Sequence, residues 1–318
     1  MAMNVLPVVI AGGIGKRLYP LSTVKKPKQF IKFFDNNYSC FQLTISRIRK
    51  VFEMEKIVIC YNKQHKKIIK EQLKCIKENN YILIEEPDVN NTFSPLILAL
   101  NFARSFKNLD SLFVSTSDSF IENNNAFAKN IQYSTIYSFL SKQHIIFGIP
   151  PDKANKNYGY IKINNNNSIK LNKHTFYKVD SFVEKPNLHK ARQFIKSKHY
   201  LWNSGYFMFN IKTLKQEIKK YQPKTFSILK QQMLIKYKQN EYIANELFYQ
   251  TPNIQIDKAI IEKSNNILCL KANFDWSDIG TFDVIYKLLK ADKIKIPDEQ
   301  NYLQNTFAKS FLKFKSSL

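Results

Sequence analysis

Three of the chain's seven glycines lie in one short run, Gly12, Gly13 and Gly15, directly after an apolar stretch. Backbone N–H groups of a glycine-rich turn can point together at phosphate oxygens. Arg17 and Lys28 follow the run and can neutralise the phosphate charge that the backbone amides do not neutralise. The pattern therefore predicts a phosphate-binding loop, whereas a glycine pair alone would more simply indicate a tight turn.

The spacing excludes two common glycine-rich phosphate loops. The third glycine comes too early for the dinucleotide-binding fingerprint, and no Gly-Lys followed by Ser or Thr stands where a P-loop needs it. The loop therefore belongs to another class of phosphate-binding site.

The residues after the glycine run extend the pattern. The chain reads G-G-I-G-K-R-L-Y-P-L from Gly12 to Leu21, and then P-K-Q-F from Pro27 to Phe30. Here it resembles the sugar-phosphate nucleotidylyltransferases, and among them the mannose-1-phosphate guanylyltransferases, in which the P-K-Q-F ending is typical. Further blocks that resemble this family follow in the same order, at residues 86–87 with 91–92, 147–150 with 158–161, 182–186, 202–207, 256–263 and 276–280.

The resemblance implies a site with two parts. A nucleotide would bind to the first part, which consists of Ala11, Gly12, Gly13, Gly15, Lys16, Arg17, Lys28, Asn91 and Thr92. Of these residues, Arg17 and Lys28 would also be catalytic. A sugar phosphate would bind to the second part, which consists of Gly159, Glu184, Lys185, Asn203 and Gly205. There Glu184 would accept hydrogen bonds from sugar hydroxyls, and the catalytic Lys185 would pair with the phosphate. Outside this context, an exposed Glu-Lys pair at a strand end would indicate only a solvated pair.

Two aspartates are the predicted metal ligands. Asp118 lies just beyond a predicted strand at 112–115, at the edge where open α/β sheets bind ligands, and Asp278 follows Trp276 and Ser277. Two carboxylates leave most of an octahedral Mg²⁺ shell to phosphate oxygens and water, as Mg²⁺ usually prefers. Together with the blocks that resemble the family, they predict a Mg²⁺ cofactor. The alternative is one aspartate that caps a helix and one in a turn.

The activity that the resemblance implies is transfer of GMP from GTP to mannose 1-phosphate, which gives GDP-mannose and pyrophosphate. Two alternatives remain open. One is a sister nucleotidylyltransferase that acts on another sugar 1-phosphate or nucleotide. The other is a catalytically silent homologue that binds nucleotide sugars.

The chain departs from the family pattern beside the predicted nucleotide base. Asp88, Val89 and Asn90 stand where the family usually has a valine, a glycine and an arginine, and Phe-Ser-Pro at 93–95 replaces Ala-Pro-Ala. The change allows a shifted pocket, a different nucleotide, or a loop that is repacked around the same nucleotide.

Apolar runs alternate with helical patterns in the first half of the chain. This is typical of an α/β protein with a doubly wound, mostly parallel, Rossmann-like sheet. The second half changes to strand pairs, so additional antiparallel strands are expected in the sugar-binding half. The run of four asparagines at 164–167 predicts a hairpin tip. Strands are predicted at 5–10, 56–60, 81–84, 112–115, 144–149, 158–163, 177–183 and 201–209, and helices at 39–51, 64–77, 91–106, 124–140, 189–197 and 211–221. Ser39 is the predicted cap of the first helix.

Composition limits the partners and the location. The formal net charge of +24 would attract polyanions. The lysines are dispersed, however, and no nucleic-acid-binding signature accompanies them, so we expect no specific nucleic acid partner. No apolar stretch is long enough to span a membrane. Four scattered cysteines without a C-x-x-C pair are consistent with reduced thiols in a cytoplasmic protein.

We expect a catalytic domain at residues 1–289 and a short helical extension at 290–318. The spacing of Phe307, Phe311 and Leu312 predicts an apolar stripe beside a basic face. Such a stripe should dock on the catalytic domain or on a second copy of the chain, as in a homodimer.

Overall fold

The computed structural model describes residues 3–13, 15–34, 38–52, 56–74 and 76–295. The predicted C-terminal extension lies outside these residues from position 296 onward. Within the described part, an eleven-stranded sheet forms the centre of the protein, and helices pack on both of its faces.

The strands are numbered in chain order, and the large sheet has the order β10-β11-β3-β2-β1-β4-β9-β6-β12-β8-β7, while β13 pairs with β5 in a separate sheet. Their bounds are β1 (Val5–Ile10), β2 (Ile57–Asn62), β3 (Tyr81–Glu86), β4 (Ser111–Thr116), β5 (Ser119–Phe120), β6 (His144–Ile149), β7 (Tyr160–Leu171), β8 (His174–Val183), β9 (Tyr200–Asn210), β10 (Leu234–Lys238), β11 (Glu241–Ala244), β12 (Ile267–Lys271) and β13 (Ser277–Asp278).

The large sheet has a parallel half and a largely antiparallel half. Strands β11, β3, β2, β1 and β4 pair in parallel, and β1, β2 and β4 are almost wholly buried, as parallel strands covered on both faces usually are. Beyond β4, strand β9 is antiparallel to β4, β6 and β7, and β8 is antiparallel to β7 and β12, while β6 and β12 pair in parallel. The predicted α/β class and the added antiparallel strands are confirmed.

The helices are α1 (Cys40–Val51), α2 (Lys66–Gln72), α3 (Phe93–Phe102), α4 (Asn124–Ser141), α5 (Leu188–Ser197), α6 (Ile211–Tyr221), α7 (Pro223–Leu229), α8 (Ile256–Ala259) and α9 (Phe282–Lys290). The predicted cap at Ser39 is present as a capping box, because its hydroxyl accepts from the Gln42 N–H and Gln42 Oε1 accepts from the Ser39 N–H. Helices α2 and α3 are shorter than predicted, since short 3₁₀ turns flank them at Lys63–His65 and Ala103–Ser105.

Two apolar clusters fill the two faces of the large sheet, and a third lies beneath the segment that follows the glycine run. The third cluster joins Leu18, Leu21 and Ile31 to Ile279 and Ile285. It therefore packs the glycine-loop segment against the region that carries Asp278.

The prediction of a hairpin tip at residues 164–167 is wrong. These residues lie inside β7, where the pairing with β8 jumps from Asn164 opposite Lys178 to Ser168 opposite Tyr177, so 165–167 form a bulge. The tip is at Asn172, whose φ of 54° suits a tight turn. Polar composition alone could not separate a bulge from a turn.

Across the described residues, no helix is both long and apolar enough to cross a membrane.

Candidate functional site

The glycine loop follows the carboxyl end of β1, and a buried glutamine donates hydrogen bonds to its carbonyl groups. Gln29 Nε2 donates to the carbonyl oxygens of Ala11 at 3.1 Å and Gly13 at 2.7 Å. Gly15 has φ of 71°, a conformation that L side chains rarely adopt, and its carbonyl accepts a hydrogen bond from the Ser22 hydroxyl. The carbonyl groups of Ala11, Gly13 and Gly15 are thus each held by a side chain. Lys16 and Arg17 follow the glycine loop in a 3₁₀ turn.

The Lys28 ammonium lies between the two predicted metal ligands. Its Nζ is 2.8 Å from Oδ2 of Asp118 and 3.0 Å from Oδ1 of Asp278. Asp118 stands between β4 and β5, and the pairing of β5 with β13 places Asp278 opposite Ser119. The fold therefore brings together two aspartates that are 160 positions apart.

The charges of this triad stabilise one another. Burial alone would lower the pKa of Lys28, but the carboxylates of Asp118 and Asp278 outweigh burial and raise that pKa above its usual value. Burial would likewise raise the pKa of Asp118, and Lys28 overcomes this effect and lowers it. At neutral pH the lysine is therefore protonated and Asp118 is ionised.

The same two carboxylates fit a Mg²⁺ ion, because their oxygens converge on one cationic atom and carboxylate oxygen is a ligand that Mg²⁺ prefers. Among the described residues, no group of three or more Asp, Glu, His or Cys side chains forms a metal site. An ion held here would take its remaining ligands from phosphate oxygens and water.

Three of the predicted sugar-phosphate residues, Gly159, Glu184 and Asn203, lie in contact, and this group is called the second pocket. The Asn203 N–H donates to the Gly159 carbonyl at 2.8 Å. A Cβ atom at position 159 would contact both Oε2 of Glu184 and, at 3.3 Å, Cβ of Asn203. The Glu184 side chain is only 7% exposed, so its carboxylate forms a wall of this pocket.

Lys185 adopts a strained conformation at the edge of the second pocket. Its φ is 48°, which is unusual for a residue with a side chain, and its Nζ bonds to Oε1 of Glu184. The Glu184 N–H donates to Oε1 of Glu262 at 3.0 Å. The turn after β8 therefore holds a cation and a carboxylate side by side.

The Lys28–Asp118–Asp278 triad and the second pocket lie beside neighbouring strands of the sheet. Strand β9 pairs with β4, and a Cβ atom at Gly205 would lie 3.3 Å from Cγ2 of Thr116, two residues before Asp118. Tyr158, next to Gly159, packs on Trp276 at 5.3 Å between ring centroids. Burial, chiefly, and the charge of Asp278 raise the pKa of Tyr158. The two parts of the site therefore lie next to each other.

Asn91 and Thr92 bind a different segment from the glycine loop. The Asn91 N–H and Nδ2 donate to Oδ1 of Asn253 at 3.0 and 2.7 Å, and Thr92 Oγ1 accepts from the Ile256 N–H at 3.0 Å. In the part of the chain that the structure describes, no hydrogen bond joins either residue to the glycine loop. They fix the segment that leads into α8.

Three residues of the site had no predicted role. Gln29 anchors the glycine loop, Glu86 is buried beside Gly12, and Asp257 contacts Asn203. All three stand in blocks that carried the family resemblance, which was the available signal. Their contacts join residues distant in sequence, so no local pattern revealed them.

Residues 6–294 match the family described as nucleotidyl transferase. The chain therefore belongs to the nucleotidyl transferase family.

Individual relatives and solved structures show which proteins the chain resembles. A mannose-1-phosphate guanylyltransferase of Klebsiella pneumoniae is 31% identical over 291 residues, which are 91% of this chain and 60% of that protein. The chain thus spans less than two thirds of the length of this relative. A structure named mannose-6-phosphate isomerase, from Helicobacter pylori, has a TM-score of 0.72 and 25% identity, over 87% of this chain and 100% of that one. A structure named mannose-1-phosphate geranyltransferase, from Thermus thermophilus, has a TM-score of 0.77 at 22% identity, over 90% of this chain and 79% of that one, and shows the fold alone.

Proposed function

We propose that the chain is a sugar-1-phosphate nucleotidyltransferase that transfers GMP from GTP to mannose 1-phosphate, with release of pyrophosphate. The observation that carries the proposal is the position of the Lys28–Asp118–Asp278 triad, beside a glycine loop and on the same sheet edge as the Gly159–Glu184 pocket. The similarity to mannose-1-phosphate guanylyltransferases supports the choice of sugar and nucleotide.

The reaction is an in-line displacement at phosphorus. An oxygen of the sugar phosphate forms a bond to the α-phosphorus of GTP, and the bond from that phosphorus to the β-bridging oxygen breaks, so that pyrophosphate leaves with the electron pair. The attacking oxygen is already an anion, and no general base is required. Catalysis then depends on alignment of the two phosphates and on neutralisation of their charge.

The loop amides and six of the predicted charged residues have a task in this scheme. The loop amides, Arg17 and Lys28 would hold the triphosphate and neutralise the leaving group. Lys185 would pair with the incoming phosphate, and Glu184 would accept hydrogen bonds from sugar hydroxyls. Asp118 and Asp278 would hold Mg²⁺, which when bound neutralises and aligns the reacting phosphates.

Glu86 supports a guanine nucleotide. Its carboxylate is 2% exposed, and Oε1 has no hydrogen-bond partner among the described residues. Burial raises the pKa of Glu86 to about 8. Guanine carries adjacent N1–H and N2–H donors that would bind one carboxylate and favour its ionised form, whereas adenine does not offer this pair.

The altered loop at 88–95 is consistent with a repacked wall around the same nucleotide. Ser94, which lies within the Phe-Ser-Pro replacement, shares a hydrogen bond with Thr251 at 2.7 Å and accepts from Asn90 Nδ2 at 2.9 Å. These contacts give hydrogen-bond partners to the Ser94 hydroxyl and to the Asn90 amide nitrogen.

A cytoplasmic location is part of the proposal. The cysteines among the described residues, Cys40, Cys60 and Cys269, are buried free thiols, which supports a reducing compartment.

Pyrophosphate release tests the proposed function. Each of the four nucleoside triphosphates should be assayed with mannose, glucose and galactose 1-phosphates, with and without Mg²⁺. We expect the highest kcat/KM for GTP with mannose 1-phosphate, and dependence on Mg²⁺. A faster reaction with another pair would establish a sister activity, and binding without pyrophosphate release would establish a silent homologue.

A further inference from the structure

Asp257, the second residue of α8, faces the sugar-phosphate pocket. Its Oδ1 accepts a hydrogen bond from Asn203 Nδ2 at 2.8 Å. The other end of that amide is also bound, because Asn203 Oδ1 accepts from the Gly205 N–H at 3.3 Å. A backbone N–H can only donate, so the amide oxygen must face Gly205 and the amide nitrogen must face Asp257.

This arrangement leaves Asn203 in one orientation. Its Nδ2 carries two hydrogens, and Asp257 takes one of them. The second can be donated to a ligand that lies against Gly159 and Glu184, since Asn203 lies beside both residues. Without an acceptor at position 257, the amide would lose the contact that sets its direction.

Charged groups surround Asp257 from two other elements. Glu184 and Lys185 face it from the end of β8, and Glu262 faces it from the 3₁₀ turn after α8. Burial first, and then the negative charges of Glu184 and Glu262, raise the pKa of Asp257 to about 7, although Lys185 and the Asp257 backbone N–H oppose them. Glu184 has its own cation in Lys185. Of the carboxyl groups of Glu184 and Asp257, only that of Glu184 forms an ion pair among the described residues.

We propose that Asp257 is a positioning residue of the sugar-phosphate pocket, which orients the Asn203 amide toward the sugar, while Glu184 is the acceptor for the sugar hydroxyls. The proposal rests on the proposed function only in that the ligand is a sugar 1-phosphate. Asp257 would be protonated when the ligand binds, because its ionisation would add a negative charge beside the ligand's phosphate and weaken binding.

Direct binding of mannose 1-phosphate, measured by isothermal titration calorimetry without nucleotide, tests the orienting role. Asp257→Asn keeps an oxygen acceptor for Asn203, so its Kd should stay close to that of the wild type at pH 6. Asp257→Leu removes the acceptor, so its Kd should rise about tenfold or more, as expected when a buried polar group loses its partner. Asp180→Asn changes an exposed carboxylate on β8 and is the matched control, with no expected change.

The pH dependence of the Kd tests whether Asp257 is protonated when the sugar phosphate binds. The phosphate of the ligand titrates in every variant, so the ratio of the wild-type Kd to the Asp257→Asn Kd isolates Asp257. This ratio should be close to one at pH 6 and rise several-fold by pH 8, since a carboxylate forms in the wild type alone. The ratio needs only the near-isosteric variant and is informative even if Asp257→Leu does not fold.

Two results would overturn the proposal. One is a folded Asp257→Leu that binds mannose 1-phosphate as the wild type does, and the other is a Kd ratio that does not change between pH 6 and pH 8. A wild type that binds none of mannose, glucose and galactose 1-phosphates would overturn it too. If the wild type binds one of them with the expected variant pattern but releases no pyrophosphate from GTP, the proposed function fails and the role of Asp257 stands.

Discussion

A Cβ atom at Gly159 would lie 2.6 Å from Oε2 of Glu184, closer than real Cβ contacts allow. It would also lie 2.9 Å from Cζ of Phe182, so both side chains would have to shift to make room for it. The Glu184 carboxylate can therefore occupy its place in the second pocket only because residue 159 has no side chain.

Gly159→Ala should impair the sugar-phosphate half of the reaction. The added methyl group must displace the Glu184 carboxylate, and we expect the KM for the sugar phosphate to rise by about tenfold while the KM for GTP changes little, which corresponds to roughly 1.4 kcal/mol. Steady-state kinetics with each substrate varied in turn would measure this. Equal increases in both KM values would show instead that the whole edge had shifted.

Asp278→Asn should lower turnover by about a hundredfold or more, because it keeps the side-chain volume and removes one of two charges beside the reacting phosphates. Asp283→Asn, in the first turn of α9 and exposed, is a suitable control. Both variants should unfold at nearly the wild-type temperature. Normal pyrophosphate release by Asp278→Asn at ordinary Mg²⁺ would rule out the metal-ligand assignment.

Glu86→Gln should weaken selection of guanine over adenine. An amide offers one acceptor oxygen where the carboxylate offers two, so we expect kcat/KM for GTP to fall by about tenfold or more and that for ATP to change little. Glu85→Gln is the matched control, since the neighbouring carboxylate bonds to Lys66 at 2.7 Å and Tyr61 at 3.1 Å. An unchanged ratio of GTP to ATP use would show that Glu86 does not contact the base.

Local sequence signals were enough to predict several elements that position the site. The apolar stretch before Gly12, the cap at Ser39 and the aspartate after β4 each depend on residues close in the chain, and the structure has all three features. Backbone propensity and hydrophobic periodicity act over such short distances, so they can be read directly from the sequence.

Features that depend on distant residues could not be predicted in this way. Strand β12 is inserted between β6 and β8, and the short strand β11 extends the sheet beside β3. Asp257 acquires its role only because α8 meets β9 through Asn203. These pairings are determined by packing of the whole chain, which a one-dimensional pattern does not contain.

Glu217→Gln should destabilise the protein at neutral pH and much less in acid. Glu217 Oε2 is 3.3 Å from His144 Nε2, and Oε1 accepts from Ser264 and Asn266 at 2.5 and 3.0 Å. Burial would raise the pKa of Glu217, but these partners lower it overall. A lowered pKa contributes stability that is complete above the usual carboxyl pKa and lost as pH falls through the lowered value.

Urea unfolding of wild type and Glu217→Gln at pH 7 and at about pH 3 would measure this effect, for which we expect about 1–3 kcal/mol at pH 7. An equal difference in unfolding free energy at both pH values would show that the ionised form of Glu217 does not carry the stabilisation.

Lys28→Met should make the protein more responsive to Mg²⁺ while it slows the reaction. In the wild type the ammonium lies within 3.0 Å of both carboxylates, so Lys28 and a metal ion compete for the same oxygens. Without the ammonium, Asp118 and Asp278 repel each other, and added Mg²⁺ should relieve that repulsion. We therefore expect a lower Tm than wild type without Mg²⁺, and a larger rise in Tm when Mg²⁺ is added. Turnover should still fall by about tenfold or more, because the Lys28 side chain is then missing from the groups that hold the triphosphate and neutralise the leaving pyrophosphate. Thermal unfolding with Mg²⁺ or with EDTA, beside Lys25→Met as an exposed lysine control, separates these effects. Equal Mg²⁺ responses in wild type and Lys28→Met would show that the two aspartates do not hold the ion.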